Sequence, residues 1–284
     1  MQPGHAPGKV DADDRDIVGR SGAGIIAPMS AARPAASIIV PTFREAANVE
    51  SLVERVFAAT RTAGIDAELI IVDDDSRDGI DTVVEALASR YAVRLIVRHG
   101  ARGLSGAVLR GFAEARSDRF VVLDADLQHP PELVPALLAK LDDPDCDFVL
   151  GTRYGRGGRI VADWPWRRRM ISRIATWLAT PLAPLSDPMS GFFALPRSTW
   201  TRARRLDPIG YKIGLELYVK GRCRGPAEVA IQFDTRAAGT SKFDTRETLR
   251  FVRHLARLYR FRYPWLVWAA ILCAVGIAIA VVRR

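Results

Sequence analysis

Between residues 37 and 154, short apolar runs alternate with stretches of helical period. "SIIVPTF" (37–43), "AELIIVDDDS" (67–76), "VRLIVR" (93–98), "RFVVLDAD" (119–126) and "DFVLGTRY" (147–154) predict five strands. Their cores are continuously apolar rather than alternating, the mark of strands buried on both faces of a parallel sheet. "EAANVESLVERVFAATRTAG" (45–64), "GIDTVVEALASRY" (79–91), "GLSGAVLRGFAEAR" (103–116) and "PPELVPALLAKLDD" (130–143) predict the helices between them, the last with prolines in its first turn. Strands and helices of these lengths in alternation make βαβ units, hence the α/β class with a mostly parallel, Rossmann-like sheet.

Beyond residue 155 the alternation loosens. "WPWRRRMISRIATWLATPL" (164–182) predicts a helix, and "GFFALP" (191–196) and "AEVAIQF" (227–233) predict short strands. In "DTRETLRFVRHLARLYRFRY" (244–263), Asp244 and Glu247 have capping-box spacing. Leu249, Val252, Leu255 and Leu258 recur on one side of that helix with arginines between them. This is a basic amphipathic helix, suited either to a membrane interface or to ordinary packing on the domain. "WLVWAAILCAVGIAIAVV" (265–282) follows, 18 residues without a charge, with Trp265 and Trp268 at one edge. About 20 such residues span a bilayer, so a membrane segment is expected, with a buried core helix as the alternative. The expected organisation is a Gly-, Ala- and Pro-rich tail (1–35), a globular domain (36–243), an interfacial helix (244–263) and a membrane segment (264–284).

Charge sharpens this division. The chain of 284 residues carries a net +9, and residues 241–284 alone carry nine basic side chains against two acids, a net +7. Basic residues beside an apolar run suit anionic lipid headgroups. No helix-turn-helix, zinc-finger or RNA-recognition pattern accompanies them, so no nucleic-acid partner is expected. Cys146, Cys223 and Cys273 lack the spacing of a disulfide framework, and the four histidines form no zinc cluster.

Two strands run into clustered acids: Asp73, Asp74 and Asp75 after one, Asp124 and Asp126 after another. Carboxylates at strand carboxyl ends lie where open α/β sheets bind ligands. Two so close repel unless a cation lies between them. Magnesium or manganese binds few carboxylates and completes its shell with phosphates and water, so the acids imply a phosphate-bearing substrate. Asp74 and Asp75 are read as caps of the next turn. No phosphate-binding loop of the G-x-x-x-x-G-K-[ST] kind is present, and Pro41 ending the first strand speaks against a dinucleotide site.

"IIVPTFREAANV", "IIVDDDSRDG", "GLSGAVLRGF", "VVLDADLQHPPE", "GTRY", "SDPMSGFFALPR" and "GTSKF" occur in an order that resembles family-2 glycosyltransferases of the GT-A fold. More closely, the set resembles dolichol-phosphate (polyprenol-phosphate) mannose synthases, over about residues 36–250. The resemblance implies that Pro41, Phe43 and Glu45 line the nucleotide pocket and that Ile71 and Asp73 hold the nucleoside. Asp124, Ala125 and Asp126 would face the diphosphate, with Asp124, Asp126 and Gln128 around Mg2+ or Mn2+. Arg153 would meet phosphate, and Arg236 and Lys242 would close over the nucleotide sugar. Phe43 and the "SRDG" turn depart from the Tyr and "SPDG" common in the family.

The implied activity is inverting transfer of a sugar, mannose from GDP-mannose, to a polyprenyl phosphate at the cytoplasmic membrane face. A phosphate monoester has a second pKa near 6 and is ionised at neutral pH, so the nucleophile needs no strong general base. The departing diphosphate gains charge that a metal and cationic side chains offset. Arg167, Arg168, Arg169 and Arg173 are candidates to receive the acceptor phosphate, or else form a solvated face. Asp187 and Ser190 are acceptor-site candidates or part of a turn, and Glu216 a residue that orients a loop or an arginine. Trp164 and Trp166 line a lipid groove or fill core. Gln128 could serve as a helix cap and His129 as a pre-proline turn residue. A UDP-sugar donor, and a membrane-attached nucleotide-binding subunit without turnover, are the alternatives.

Overall fold

The computed structural model describes residues 33–100, 102–155, 157–160, 166–203, 205–207, 212–233 and 245–265; the side chains of 167–169 and 245–248 lie outside that description. Its strands are β1 (Ala36–Thr42), β2 (Ala67–Asp73), β3 (Val93–Val97), β4 (Arg119–Val122), β5 (Val149–Thr152), β6 (Arg159–Ile160), β7 (Phe193–Pro196), β8 (Ala227–Ala230) and β9 (Gln232–Phe233). Its α-helices are α1 (Ala46–Thr62), α2 (Ile80–Ala88), α3 (Leu104–Glu114), α4 (Val134–Lys140), α5 (Trp166–Ala179), α6 (Arg197–Arg202), α7 (Ile213–Lys220) and α8 (Thr245–Arg262). A 3-10 turn over Pro131–Leu133 leads into α4.

Seven strands form one sheet in the order β3-β2-β1-β4-β7-β5-β8, and β6 pairs with β9 apart from it. β7 runs antiparallel to both its neighbours, and every other pairing in the sheet is parallel. The expected α/β, mostly parallel architecture is therefore present.

Why β1 and β2 read as unbroken apolar runs is clear from their surroundings. Each has a strand on both sides and helices on both faces. Ile38 and Val40 point to the face covered by α1, α2 and α4, while Ile39 points to the face covered by α3, α5, α7 and α8. Thr42 and Asp73 are polar at the site end; at the other end Ser37 donates to Glu68 at 2.6 Å and accepts from the Ser117 amide at 3.0 Å. Glu68 in turn accepts from the Arg116 amide at 2.7 Å and its guanidinium at 3.0 Å. This buried cluster staples β1, β2 and the entry to β4 at the end of the sheet away from the acids.

Two expectations are revised. The "RFVVLDAD" strand leaves the sheet after Val122, so Asp124 and Asp126 lie in a loop. The apolar stripe of α8 does not lie on one surface: Leu255 and Leu258 are buried against the domain, whereas Leu249 and Val252 are 72% and 53% exposed. The second half of α8 docks against the α7 side of the domain, and the first half carries exposed side chains. Among the described residues no helix is long and apolar enough to cross a membrane. The expected membrane segment, beyond its first two residues, and the tail up to residue 32 lie outside them.

Candidate active site

The order β3-β2-β1-β4 places a topological switch point between β1 and β4, because successive strands are added outward on one side of β1 and then on the other. Open α/β sheets bind ligands in the crevice at the carboxyl ends there. Phe43 and Glu45 follow β1, Asp73 to Asp75 end β2, Asp124 to Gln128 follow β4, and Arg153 follows β5. All reach the same edge. The antiparallel β7 begins at that edge, so the segment 187–191 leading into it is drawn into the site.

At β1, Pro41 is buried in the strand opposite Val72, and Phe43 turns outward. The guanidinium of Arg102 lies 4.7 Å from the Phe43 ring centre and that of Arg44 5.3 Å. Glu45 accepts from the Asn48 amide at 2.7 Å. The acids after β2 divide their work. Asp73 accepts from Thr42 at 2.9 Å and from the Ser76 hydroxyl and amide at 2.5 and 2.7 Å, which closes the β2 turn onto β1. Asp74 accepts from Arg98 and from the Gly103 amide, each at 2.6 Å, and so ties β2 to the start of α3. Asp75 pairs with the exposed Arg77. Capping describes Asp73 better than Asp74, which makes a longer-range tie. The side chain of Ile71 is fully buried in the core beneath α1 and α2, because strand alternation turns it to the sheet face opposite α3.

After β4, the Asp124 side chain is 32% exposed, whereas Ala125, Asp126 and Gln128 are buried. Asp126 accepts from the Gln128 amide at 3.2 Å across a turn in which Leu127 has φ 60°. Behind Asp124 stands Gly191. A Cβ there would come within 2.8 Å of the Asp124 Oδ2, so only glycine leaves the carboxylate its place. His129 is buried between Phe192 and Phe233, and its Nδ1 lies 3.6 Å from Asp124 Oδ2, beyond hydrogen-bond length. Burial lowers the imidazole to about 4, against the pull of Asp126, so it is neutral at pH 7. That makes it a weak base rather than a strong one.

Arg153 is brought to this cluster by a partner that sequence reasoning left open. Asp187, without exposure, accepts from Arg153 Nε at 2.6 Å, from Nη2 at 2.8 Å and from its backbone amide at 3.2 Å. Burial opposes the guanidinium charge, but Asp187, with Tyr154 and Asp124, holds its pKa above the ordinary value. Sequence reasoning missed Lys212 entirely. Its Nζ donates to the Met189 carbonyl at 2.7 Å. Burial and the neighbouring Arg153 lower it to about 8, against the attraction of Asp187 and Asp124. A lone lysine outside any recognised motif gives no signal in the sequence. Ser190 bonds within its own turn. Glu216 orients a loop and a lysine, accepting from the Asp207 amide at 2.8 Å and from Lys220 at 2.5 Å.

Arg236 and Lys242 lie outside the described residues, as does Trp164. Trp166 is 67% exposed and fills no core. Among the described residues no three or more His, Cys, Asp or Glu gather as a metal site. The oxygen donors of Asp124, Asp126 and Gln128, which follow β4 in one loop, are hard ligands by type. They fit a cation that keeps water and phosphate in its shell.

Residues 37–198 match the pattern of glycosyl transferase family 2. The chain belongs to that family. The glycosyltransferase is 48% identical over 238 residues to the dolichol-phosphate mannosyltransferase of Mycosarcoma maydis, covering 81% of each chain. It is 44% identical over 236 residues to the dolichol-phosphate mannosyltransferase of Saccharomyces cerevisiae, covering 80% of this chain and 88% of that one. The glycosyltransferase fold is similar to that of glucosyl-3-phosphoglycerate synthase from Mycobacterium tuberculosis, solved with Mn2+, uridine diphosphate and phosphoglyceric acid. The TM-score is 0.59 at 22% identity, over 81% of this chain and 78% of that chain.

Proposed function

We propose that this glycosyltransferase moves mannose from GDP-mannose to a dolichyl or other polyprenyl phosphate, at the cytoplasmic face of a membrane. One observation carries the reading: acids and paired cations converge on one sheet edge. Asp124 faces the Arg153–Asp187 pair and Lys212 at the carboxyl ends of β4 and β5, with Asp126 two residues further along the same loop. Acids alone would suit a metal, and cations alone an anion; together they suit a reaction with phosphate on both donor and acceptor. The relatives' activity supports the choice of sugar and lipid.

In this reading Asp124, Asp126 and Gln128 hold Mg2+ or Mn2+, which when bound supplies Lewis-acid stabilisation of the departing diphosphate. Phe43 offers a ring face to the nucleoside beside Arg102 and Arg44. Arg153, fixed by two bonds to Asp187, holds an anionic oxygen without reorganising. The acceptor phosphate arrives ionised and attacks the anomeric carbon, so no side chain has to remove a proton.

The lipid acceptor requires a membrane surface, and the exposed apolar side chains of two helices support binding to one. On α5, Trp166, Met170, Ile171, Ile174 and Trp177 are exposed by 40–74% along one side. On and just after α8, Leu249, Val252, Phe261 and Trp265 are exposed by 43–72%. Tyr259 donates to the Leu178 carbonyl at 2.8 Å and Tyr263 to that of Pro181 at 2.7 Å, which holds α8 beside the end of α5. Exposed apolar side chains interleaved with arginines favour an anionic lipid interface.

Purified protein incubated with polyprenyl phosphate in lipid, with labelled GDP-mannose or UDP-glucose and with or without Mg2+ or Mn2+, tests the reading. Metal-dependent mannolipid, lost in Asp126→Ala, is the expected result. Product from UDP-glucose alone overturns the donor, and no glycolipid from folded protein overturns the acceptor.

A further inference from the structure

Lys212 stands at the amino end of α7, a helix whose residues Ile213 to Val219 are all buried, and it reaches from that fixed platform into the 187–191 segment. The segment holds two parts of the site. At its start Asp187 grips Arg153 through three hydrogen bonds. At its end Gly191 backs so closely onto Asp124 that a Cβ would lie 2.8 Å from the carboxylate oxygen. Lys212 bonds the carbonyl of Met189, between those two points, at 2.7 Å. Displacement of that carbonyl moves Arg153 or Asp124 or both, because each is in contact with a residue two positions away.

The choice of a lysine is informative. A neutral amide could satisfy one carbonyl. An ammonium withdrawn from water beside the like-charged Arg153 is costly. The charge faces Arg153, Asp187, Asp124 and His129 together. A fixed cation at that point strengthens any interaction with phosphate oxygens, because it needs no rearrangement when charge develops.

We propose that Lys212 is a positioning residue for glycosyl transfer: it clamps the Met189 carbonyl so that the 187–191 segment holds Arg153 and Asp124 in register, and it keeps a positive charge beside the reacting phosphates. The kinetic part of this inference rests on the transfer reaction proposed above.

The test uses the full chain in lipid with three variants, Lys212→Met, Lys212→Gln and Lys212→Arg, and two readouts. In the transfer assay, Lys212→Met lowers kcat about tenfold to 100-fold, the scale of a misplacement of up to about 1 Å, while KM for GDP-mannose changes less than about threefold. Lys212→Gln, which can bond the carbonyl but carries no charge, stays low in kcat, and Lys212→Arg recovers part of it. In hydrogen exchange, the amides of Met189, Ser190 and Gly191 exchange about tenfold faster in Lys212→Met, while those of β1 and β4 keep wild-type rates. Unchanged exchange at 189–191 overturns the clamp whatever the activity. A kcat equal to wild type in Lys212→Met, or full activity in Lys212→Gln, overturns the role of the charge. A wild type that transfers no mannose sinks the proposed reaction, and the exchange experiment then still decides the clamp.

Discussion

Replacing Asp187 by alanine removes the partner of a guanidinium that is almost out of water: the Arg153 side chain is 9% exposed and that of Asp187 is 0%. The native pair is a fork of two charge-assisted bonds at 2.6 and 2.8 Å, with a third from the Arg153 amide at 3.2 Å. Building such a pair gains little net, because desolvation of both ions cancels most of the attraction. Breaking it by removing one partner leaves a buried charge uncompensated and costs about 3–5 kcal/mol. A typical domain has about 5–15 kcal/mol in all, so Asp187→Ala removes a large share. Asp187→Asn keeps an acceptor and the shape and is expected to cost about half as much, since a neutral acceptor forms the weaker bond. Urea denaturation followed by tryptophan fluorescence measures these values. The double variant Arg153→Met with Asp187→Leu removes both charges and is expected to recover most of the loss in stability while remaining inactive. A cost below about 1 kcal/mol for Asp187→Ala, or no recovery in the double variant, refutes the account of Arg153 as a buried cation held by one carboxylate.

Gly191→Ala places a methyl 2.8 Å from Asp124 Oδ2 and turns the carboxylate aside; Mn2+ titration calorimetry is expected to show about a tenfold loss of affinity, as for other groups that orient metal ligands. For Glu68, burial alone would raise the carboxyl, but the bonds from Ser37 and Arg116, with the charge of Arg94, hold it below 4.5. Its contribution is therefore complete above the unfolded value and is lost as pH falls through the lower folded value. Glu68→Gln costs about 1–3 kcal/mol at pH 7, and its unfolding midpoint falls less steeply below pH 4.5 than that of wild type. Trp166→Ser with Trp177→Ser removes the two most exposed rings of α5, at 67% and 74%; sedimentation with anionic vesicles is expected to show weaker binding by both salt and mutation, and unchanged binding would dissociate α5 from the lipid surface.

Most of the sheet was legible because its strands are buried on both faces, which leaves an apolar run bounded by polar turns. β1, β2 and the helices α1 to α3 follow directly from that pattern. Gly64, at φ 66°, ends the turn after α1 where an L side chain would be strained. The Asp124–Asp126 element was legible because paired acids after an apolar strand are chemically improbable unless something cationic binds them. α7 gave no helical signal: Ile213 to Val219 are all buried, so no polar face marks a 3.6-residue period. The stripe on α8 predicted its helix but not its burial, because Leu249, Val252, Leu255 and Leu258 step by three residues rather than about 3.6, so the stripe winds about the helix and its two ends face different surroundings.

What the sequence determined alone is the set of local structures and the chemical character of the loops after them, since both follow from neighbours along the chain. What only the tertiary structure decided is which distant residues share one edge. β7 is inserted antiparallel between β4 and β5, and this reversal sets the start of β7 beside the carboxyl ends of its neighbours. It brings Asp187 to Arg153 and Gly191 to Asp124, and α7 then brings Lys212 to Met189. These pairs are 34, 67 and 23 positions apart. No periodicity carries information over such separations, because the partners are chosen by sheet order and by the cost of leaving a charge buried without its counter-ion.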